Sequence, residues 1–206
     1  MILIYPILTR IIGLENFGKV MVANALAILL GILVNYGTLQ TTIKDIAILK
    51  TNNKLLSEIF CNTLAIRFII FTVVSFILLL FANFIKEDYL LYILILPLVF
   101  AEVINPMFFF LGIERLTILN ITNLVSKVIT LGLIVLFVKS GADSNWVNFL
   151  MGIALIATNL YAIIWAIKKY KLKIILPTRQ SQVLIIKNNF YVLINNFAVY
   201  LQQSLM

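Results

Sequence analysis

Residues 116–138 read LTILNITNLVSKVITLGLIVLFV. The run is long enough to cross a bilayer, which takes roughly 20 apolar residues per helix. Its one charge, Lys127, lies near the middle. A cation at that depth costs about 2.5–3.5 kcal/mol on insertion scales, and such residues usually face a bundle interior or a wet cavity. The stretch therefore predicts two things: a membrane protein, and helices that enclose a place where charge is tolerated.

Outward from this run the same reading holds. The chain has 206 residues, 63% of them hydrophobic, and a mean hydropathy of +1.09. Soluble domains are closer to half apolar. Several long runs with few charges predict an all-α, polytopic helical bundle in the membrane. A membrane β-barrel would alternate polar and apolar residues in short segments, and these runs do not. The formal charge of +8 fits basic loops facing the cytoplasm and anionic membrane lipid, so no nucleic-acid partner is expected.

Cys61 is the one cysteine and there is no histidine. An intrachain disulfide, a Cys/His metal cluster and the usual general base near neutral pH are thereby excluded. The loops are short and hold no acidic cluster, so the chain is not expected to be an enzyme, nor to need a cofactor or metal. Met1 to Leu8 is apolar but has no basic start and no small-residue cleavage site, unlike a signal peptide. At 1.5 Å per residue it is also too short to span.

In chain order, Tyr5 to Gly18 predicts the tail of a first span and its exit loop, with Gly13 and Gly18 punctuating a tight polar turn. Val20 to Leu39 is the first complete span. Asn24 and Asn35 within it suit hydrogen bonds between helices, with ligand contact as the alternative. Thr41 to Glu58 predicts a short amphipathic helix on the membrane surface, with a turn at Thr51 to Lys54. Ile59 to Phe84 is the second complete span, followed by a loop with Lys86, Glu87 and Asp88. Tyr89 to Leu111 is the third, kinked by Pro97 and Pro106. Leu116 to Val138 is the fourth. Trp146 to Ile167 is the fifth, with Trp146 and Trp165 placed as an interfacial belt. A basic linker with Lys168, Lys169, Lys171, Lys173 and Arg179 follows, broken by Pro177, and Phe190 to Met206 begins another helix.

The total is about six transmembrane helices plus a partial one. Residues 1–187 are expected to form an N-terminal transmembrane lobe with a truncated first span, and 188–206 the start of a second lobe. Alternate connections divide the cations unequally. Lys44, Lys50, Lys54, Arg115, Lys168, Lys169, Lys171, Lys173, Arg179 and Lys187 fall on one side, expected to be cytoplasmic.

Three ionisable residues lie inside spans: Arg67, Glu102 and Lys127. At 1.5 Å per residue they fall about 12, 13 and 16 Å from the cytoplasmic ends of their helices, in one layer. Glu102 can act as charge partner to one cation and lower its insertion cost. The other is then left for an external anion such as a phosphate. The alternative is structural: Arg67 snorkels to the nearer face, and Glu102 pairs with Lys127.

Pro6, Thr9, Arg10, Gly13, Glu15, Phe17 and Gly18 are similar to the P-x-x-T-R-x-x-G-x-E-x-F-G opening of the Wzx-type polysaccharide (O-antigen) flippases. That family belongs to the MATE/MOP superfamily, which also holds the drug exporters and the lipid II flippase. Asn35, Tyr36 and Gly37 resemble its D-Y-G, with the acid replaced. Lys44, Asp45, Ile46 and Ala47 resemble its R-E-I-A. Leu56 to Ile59 fits the start of its next helix, and Gly112, Ile113 and Glu114 resemble its G-x-E turn. The resemblance runs from Pro6 to about Lys187 and implies helices in two lobes around a central cationic cavity.

The function implied is a flippase in the inner, cytoplasmic membrane. It would move a polyprenyl-diphosphate-linked oligosaccharide to the outer leaflet for O-antigen or lipopolysaccharide synthesis. Lys127 and Arg67 would be its substrate-binding cavity cations. This chain resembles only the first half, and alternating access needs two lobes, so a second lobe or polysaccharide assembly proteins are expected partners. A MATE-like exporter of another substrate and a non-transporting membrane fragment are the alternatives. Cationic drugs would favour cavity carboxylates, whereas this chain buries more cations than acids.

Overall fold

The computed structural model describes residues 4–82 and 88–205, and among these the secondary structure is helical with no strand. The helices are α1 (Ile4–Asn35), α2 (Thr38–Leu49), α3 (Asn53–Ala82), α4 (Tyr89–Ile93), α5 (Leu96–Val103), α6 (Met107–Gly112), α7 (Leu116–Phe137), α8 (Trp146–Tyr170) and α9 (Arg179–Leu205). A 3-10 turn at Gly141–Asn145 leads into α8. Among the described residues, five stretches are long and apolar enough to cross a membrane: Ile4–Asn35, Asn53–Phe81, Tyr89–Gly112, Leu116–Phe137 and Gly141–Tyr170. The chain is a polytopic helical bundle, as its hydropathy predicts.

The expected tail of a first span and the Val20 to Leu39 span are two helical segments that meet at Gly13 within α1. Gly13 breaks the helical backbone there, at φ 78° and ψ 163°, a shape that a side chain would strain. Gly18 is helical, so the polar turn expected there reduces to that single kink. Tyr36 (φ 50°) and Gly37 (φ 70°) then end the helix, short of the expected Leu39.

The expected surface helix over Thr41 to Glu58 divides. Its first part is α2, which is packed into the bundle: Thr38, Thr42 and Ile46 form a buried stripe at helical spacing. Gly112 is what admits it. A Cβ there would lie 2.6 Å from Ile46 Cγ2. Its second part belongs to α3, where Leu56 and Ser57 are buried. Asn52 Oδ1 starts that helix by accepting from the Lys54 and Leu55 amides at 3.1 and 3.2 Å, the usual use of asparagine at an N-terminus. The outer face of α3 exposes Phe68, Val73, Phe76 and Phe81, an apolar face suited to acyl chains.

Helix α8 runs to Tyr170 and ends on Lys171 in the left-handed region. Helix α9 begins at Arg179, well before the expected Phe190, and the expected division at 187/188 falls inside it. Lys86 and Glu87 lie outside the described residues.

Packing centres on α5 against α8. Helix α8 offers Gly152, Ala154, Thr158, Ala162 and Ala166 as buried positions, and small residues let helices approach closely in lipid. One apolar cluster joins α1, α4, α5 and α8 through Val20, Ala23, Leu91, Ile95, Val99 and Met151. A second stacks Phe60, Phe108, Phe109 and Phe110. Phe109 meets Phe60 and Tyr170 edge-on, both at 5.3 Å. Trp165 packs at this end on Phe110, while Trp146 is exposed at the other. Asn24 does what its position predicts, donating to Asn148 Oδ1 at 3.0 Å. Asn148 in turn donates to the Val20 carbonyl at 3.1 Å.

Candidate functional site: a cavity over a broken helix

The third span is divided into α4, α5 and α6, and the chemistry of its α5–α6 break follows from Pro106. Proline has no N–H, so the carbonyl four residues earlier, Glu102 O, loses its helical donor. The break spreads. The Asn105 amide turns to Glu102 O at 3.4 Å, and the Phe109 amide bonds Pro106 O at 3.0 Å. Ala101 O and Asn105 O are thus stripped of their regular partners. In a membrane each freed carbonyl needs a donor from a neighbouring helix.

Two side chains supply them. Asn159 on α8 donates to Ala101 O at 3.0 Å. Arg67 on α3 donates through one terminal nitrogen to Asn105 O at 2.9 Å and Glu102 O at 3.3 Å. Its Nε donates to Thr38 Oγ1 at 2.8 Å. Its other terminal nitrogen lies 3.4 Å from Asn35 Oδ1. The guanidinium carbon stands 4.9 Å from the centre of the Phe108 ring, a cation–π contact. Arg67 is 0% exposed and so does not snorkel. It ties α3 to the α1–α2 corner and to the α5–α6 break.

Above this knot lies a cavity of ≈ 490 Å³ bounded by α1, α2, α5, α8 and α9. Its lining is mixed: Asn24, Asn35, Gln40, Glu102, Asn196, Tyr200 and Gln203 supply polar groups within a wall that is otherwise apolar, with Ile28, Ile32, Leu98, Met151 and Leu155 among its members. Glu102 is partly exposed and accepts from Asn105 Nδ2 at 3.2 Å. Gly31 gives the carboxylate arm room, since a Cβ there would stand 3.0 Å from Glu102 Cγ. A second, smaller pocket of ≈ 250 Å³ lies between α1, α3 and α4 and is walled by Leu26, Leu30, Val74, Leu78 and Phe81. It offers nothing to a polar ligand.

Two of the three predicted charges are therefore brought together. Arg67 meets Glu102 through the backbone carbonyl, and no ion pair within 4 Å joins their side chains among the described residues. Glu102 sits on the cavity floor, and Arg67 lies just behind it. Lys127 stands apart. It is exposed on α7, makes no ion pair with Glu102, and is not one of the cavity's lining residues. It shares one face with Asn120 and Asn123, which are also exposed and lie at helical spacing from it.

Sequence reasoning missed Thr38, Asn105 and Asn159 as partners of the break, and Gln40 as a cavity residue. Pro106 was the available signal: a proline inside a span requires donors for the carbonyls it frees. Asn35, where the resembling motif has an acid, accepts from the Leu39 amide at 3.1 Å as well as from Arg67. Asn35→Asp should therefore stabilise the protein by about 1 kcal/mol or more, because the carboxylate faces a guanidinium and the N-terminus of α2. A thermal-unfolding midpoint in detergent unchanged or lowered would refute this.

Family comparison agrees with the architecture. A model described as polysaccharide biosynthesis protein matches residues 1–205. No curated protein and no solved structure matches the chain. With five stretches long and apolar enough to cross a membrane among the described residues and that match over residues 1–205, the chain belongs to the polysaccharide biosynthesis protein family, the family of Wzx-type polysaccharide flippases of the MOP superfamily.

Proposed function

We propose that the protein takes part in flipping a polyprenyl-diphosphate-linked oligosaccharide across the cytoplasmic membrane. The observation that carries this reading is the cavity. Its walls present amide side chains from α1, α2 and α9 and one carboxylate, with no Lys or Arg among the lining residues. Amides both donate and accept, which matches sugar hydroxyls. The cavity thus suits the neutral glycan and not the diphosphate.

The diphosphate requires cations. Lys127, with Asn120 and Asn123 beside it, is the exposed polar face of α7. A lysine at mid-depth in a span does not favour lipid contact, and an anion offsets its insertion cost. Lys127 is the direct phosphate ligand in this reading. Arg67 acts at one remove, as a positioning residue that holds Asn35 and the Glu102 segment in the cavity floor. A second lobe completes the pathway, and polysaccharide assembly proteins supply and receive the substrate.

The test is reconstitution in liposomes with a fluorescently labelled polyprenyl-diphosphate oligosaccharide, together with any partner lobe. Lys127→Ala should lower the flipping rate tenfold or more, and Lys127→Arg should keep most of it. An unchanged rate in Lys127→Ala would remove that residue from the site. Glu102 in the cavity favours one other reading, export of a cationic solute. Glu102→Gln separates the two: glycan flipping should survive it, whereas cation export would be abolished.

A further inference from the structure

Helix α9 is attached to the bundle differently from every other wall of the cavity. Among its described side chains, the two that are buried are polar, Gln182 and Asn189. No described residue of α9 belongs to either buried apolar cluster. Its attachments are hydrogen bonds instead. Ser181 Oγ donates to Asn62 Oδ1 at 3.1 Å, and Gln182 Nε2 donates to Asn62 O at 3.3 Å. Thr41 Oγ1 donates to Asn189 Oδ1 at 2.7 Å. Gln40 and Asn196 exchange two amide bonds, at 3.1 and 3.4 Å. Tyr200 Oη donates to the Ala25 carbonyl at 3.0 Å.

The two halves of the helix are not held alike. At Gly37 the α1–α2 corner meets α9 so closely that a Cβ would stand 2.8 Å from Val192 Cβ and 3.3 Å from the Asn189 carbonyl oxygen. Gly37 also needs its freedom to hold φ 70°. Before this contact, Ser181, Gln182 and Asn189 bind α9 to α2 and α3. Beyond it, the part that lines the cavity bonds to α2 through the Gln40–Asn196 pair and to α1 through Tyr200. Amide pairs can be traded for bonds to water or to sugar hydroxyls with no loss of bonding. Apolar interlocks, such as α5 on α8, cannot be traded in this way.

We propose that α9 beyond Val192 is a movable wall of the cavity, that the Gly37–Val192 contact is its pivot, and that Gln40–Asn196 is its latch. A carbohydrate hydroxyl group entering between α9 and the α1–α2 corner replaces each amide's partner and so opens the latch. The glycan as ligand rests on the flippase reading above; the moving wall does not.

The test joins the latch covalently. Gln40→Cys and Asn196→Cys are introduced together in the full chain, with Cys61→Ser to remove the native thiol. Leu155→Cys on the opposite cavity wall is the reporter in a parallel protein whose latch is first oxidised and purified. Oxidation should form the cross-link and slow labelling of Leu155→Cys by a bulky water-soluble maleimide about tenfold. Asn196→Ala alone should speed that labelling. Equal labelling of open and cross-linked protein would overturn the movable wall, and failure to cross-link would overturn the pairing. In the flipping assay the cross-linked protein should be inactive and regain its rate when reduced. Labelling that responds to the latch in a protein that never flips glycan would count against the flippase reading and leave the wall standing.

Discussion

Arg67→Ala should lower stability by about 4 kcal/mol, enough to unfold much of the protein in detergent. The estimate comes from what is left behind. Asn105 O loses its donor at the break and Thr38 Oγ1 loses its donor at the corner, whereas Glu102 O keeps the Asn105 amide and Asn35 Oδ1 keeps the Leu39 amide. Each stranded buried acceptor costs about 1–3 kcal/mol. A void also opens against Phe108. Arg67→Lys should recover only part of the loss, because an ammonium cannot copy the planar fork that reaches two helices at once. The adjacent Phe68 is 54% exposed, so Phe68→Ala is the control and should change little. Thermal unfolding followed by circular dichroism distinguishes these outcomes. A midpoint for Arg67→Ala within a degree of the parent would show that the break satisfies its own carbonyls.

Gly152→Ala should be nearly as damaging, from the smallest possible change. A Cβ at that position would stand 2.6 Å from the Pro97 carbonyl carbon and 2.8 Å from Pro97 Cβ. Neither neighbour can yield. Proline is rigid, and the opposing atom is backbone. The α5–α8 contact must therefore open by a fraction of an ångström along its length. Overpacking of this kind costs about 1–3 kcal/mol, and the upper end applies here. Gly132 on α7 has no atom within 4 Å of its would-be Cβ. Gly132→Ala should accordingly be neutral or slightly stabilising, since alanine is the better helix former. Equal yields of folded Gly152→Ala and Gly132→Ala protein on size exclusion would contradict this packing.

What the sequence revealed and what it hid divide along one physical line. Apolar runs bounded by charge were legible. The expected 116–138 run ends one residue beyond Leu116–Phe137, because Arg115 and Lys139 mark where the span leaves the hydrocarbon. Trp146 as the start of α8 was equally plain. Helix α9 was not, because hydropathy finds helices that bury apolar side chains and this one buries amides. Its start did carry a signal, Thr178 followed by Ser181. The Ser181 hydroxyl bonds Thr178 O at 2.8 Å, and the Ser181 amide lies 3.4 Å from Thr178 Oγ1, a turn typical of a helix beginning. The site was half legible. Depth along each helix placed Arg67 and Glu102 at one level, and they do meet. Depth carries no information about rotation, so it could not tell that Lys127 points elsewhere.

The partners of Arg67 are also divided by the order of synthesis. Asn35 and Thr38 leave the ribosome before it, whereas Glu102, Asn105 and Phe108 leave after it. When α3 first reaches the membrane, its guanidinium has only the corner behind it. An arginine in mid-span is disfavoured on insertion by about 2.5–3.5 kcal/mol. The nascent α3 is thus held back from free diffusion into lipid until the broken third crossing arrives to receive it. Joint release of α3 with α4–α6 would therefore lower the insertion cost of Arg67 relative to release helix by helix.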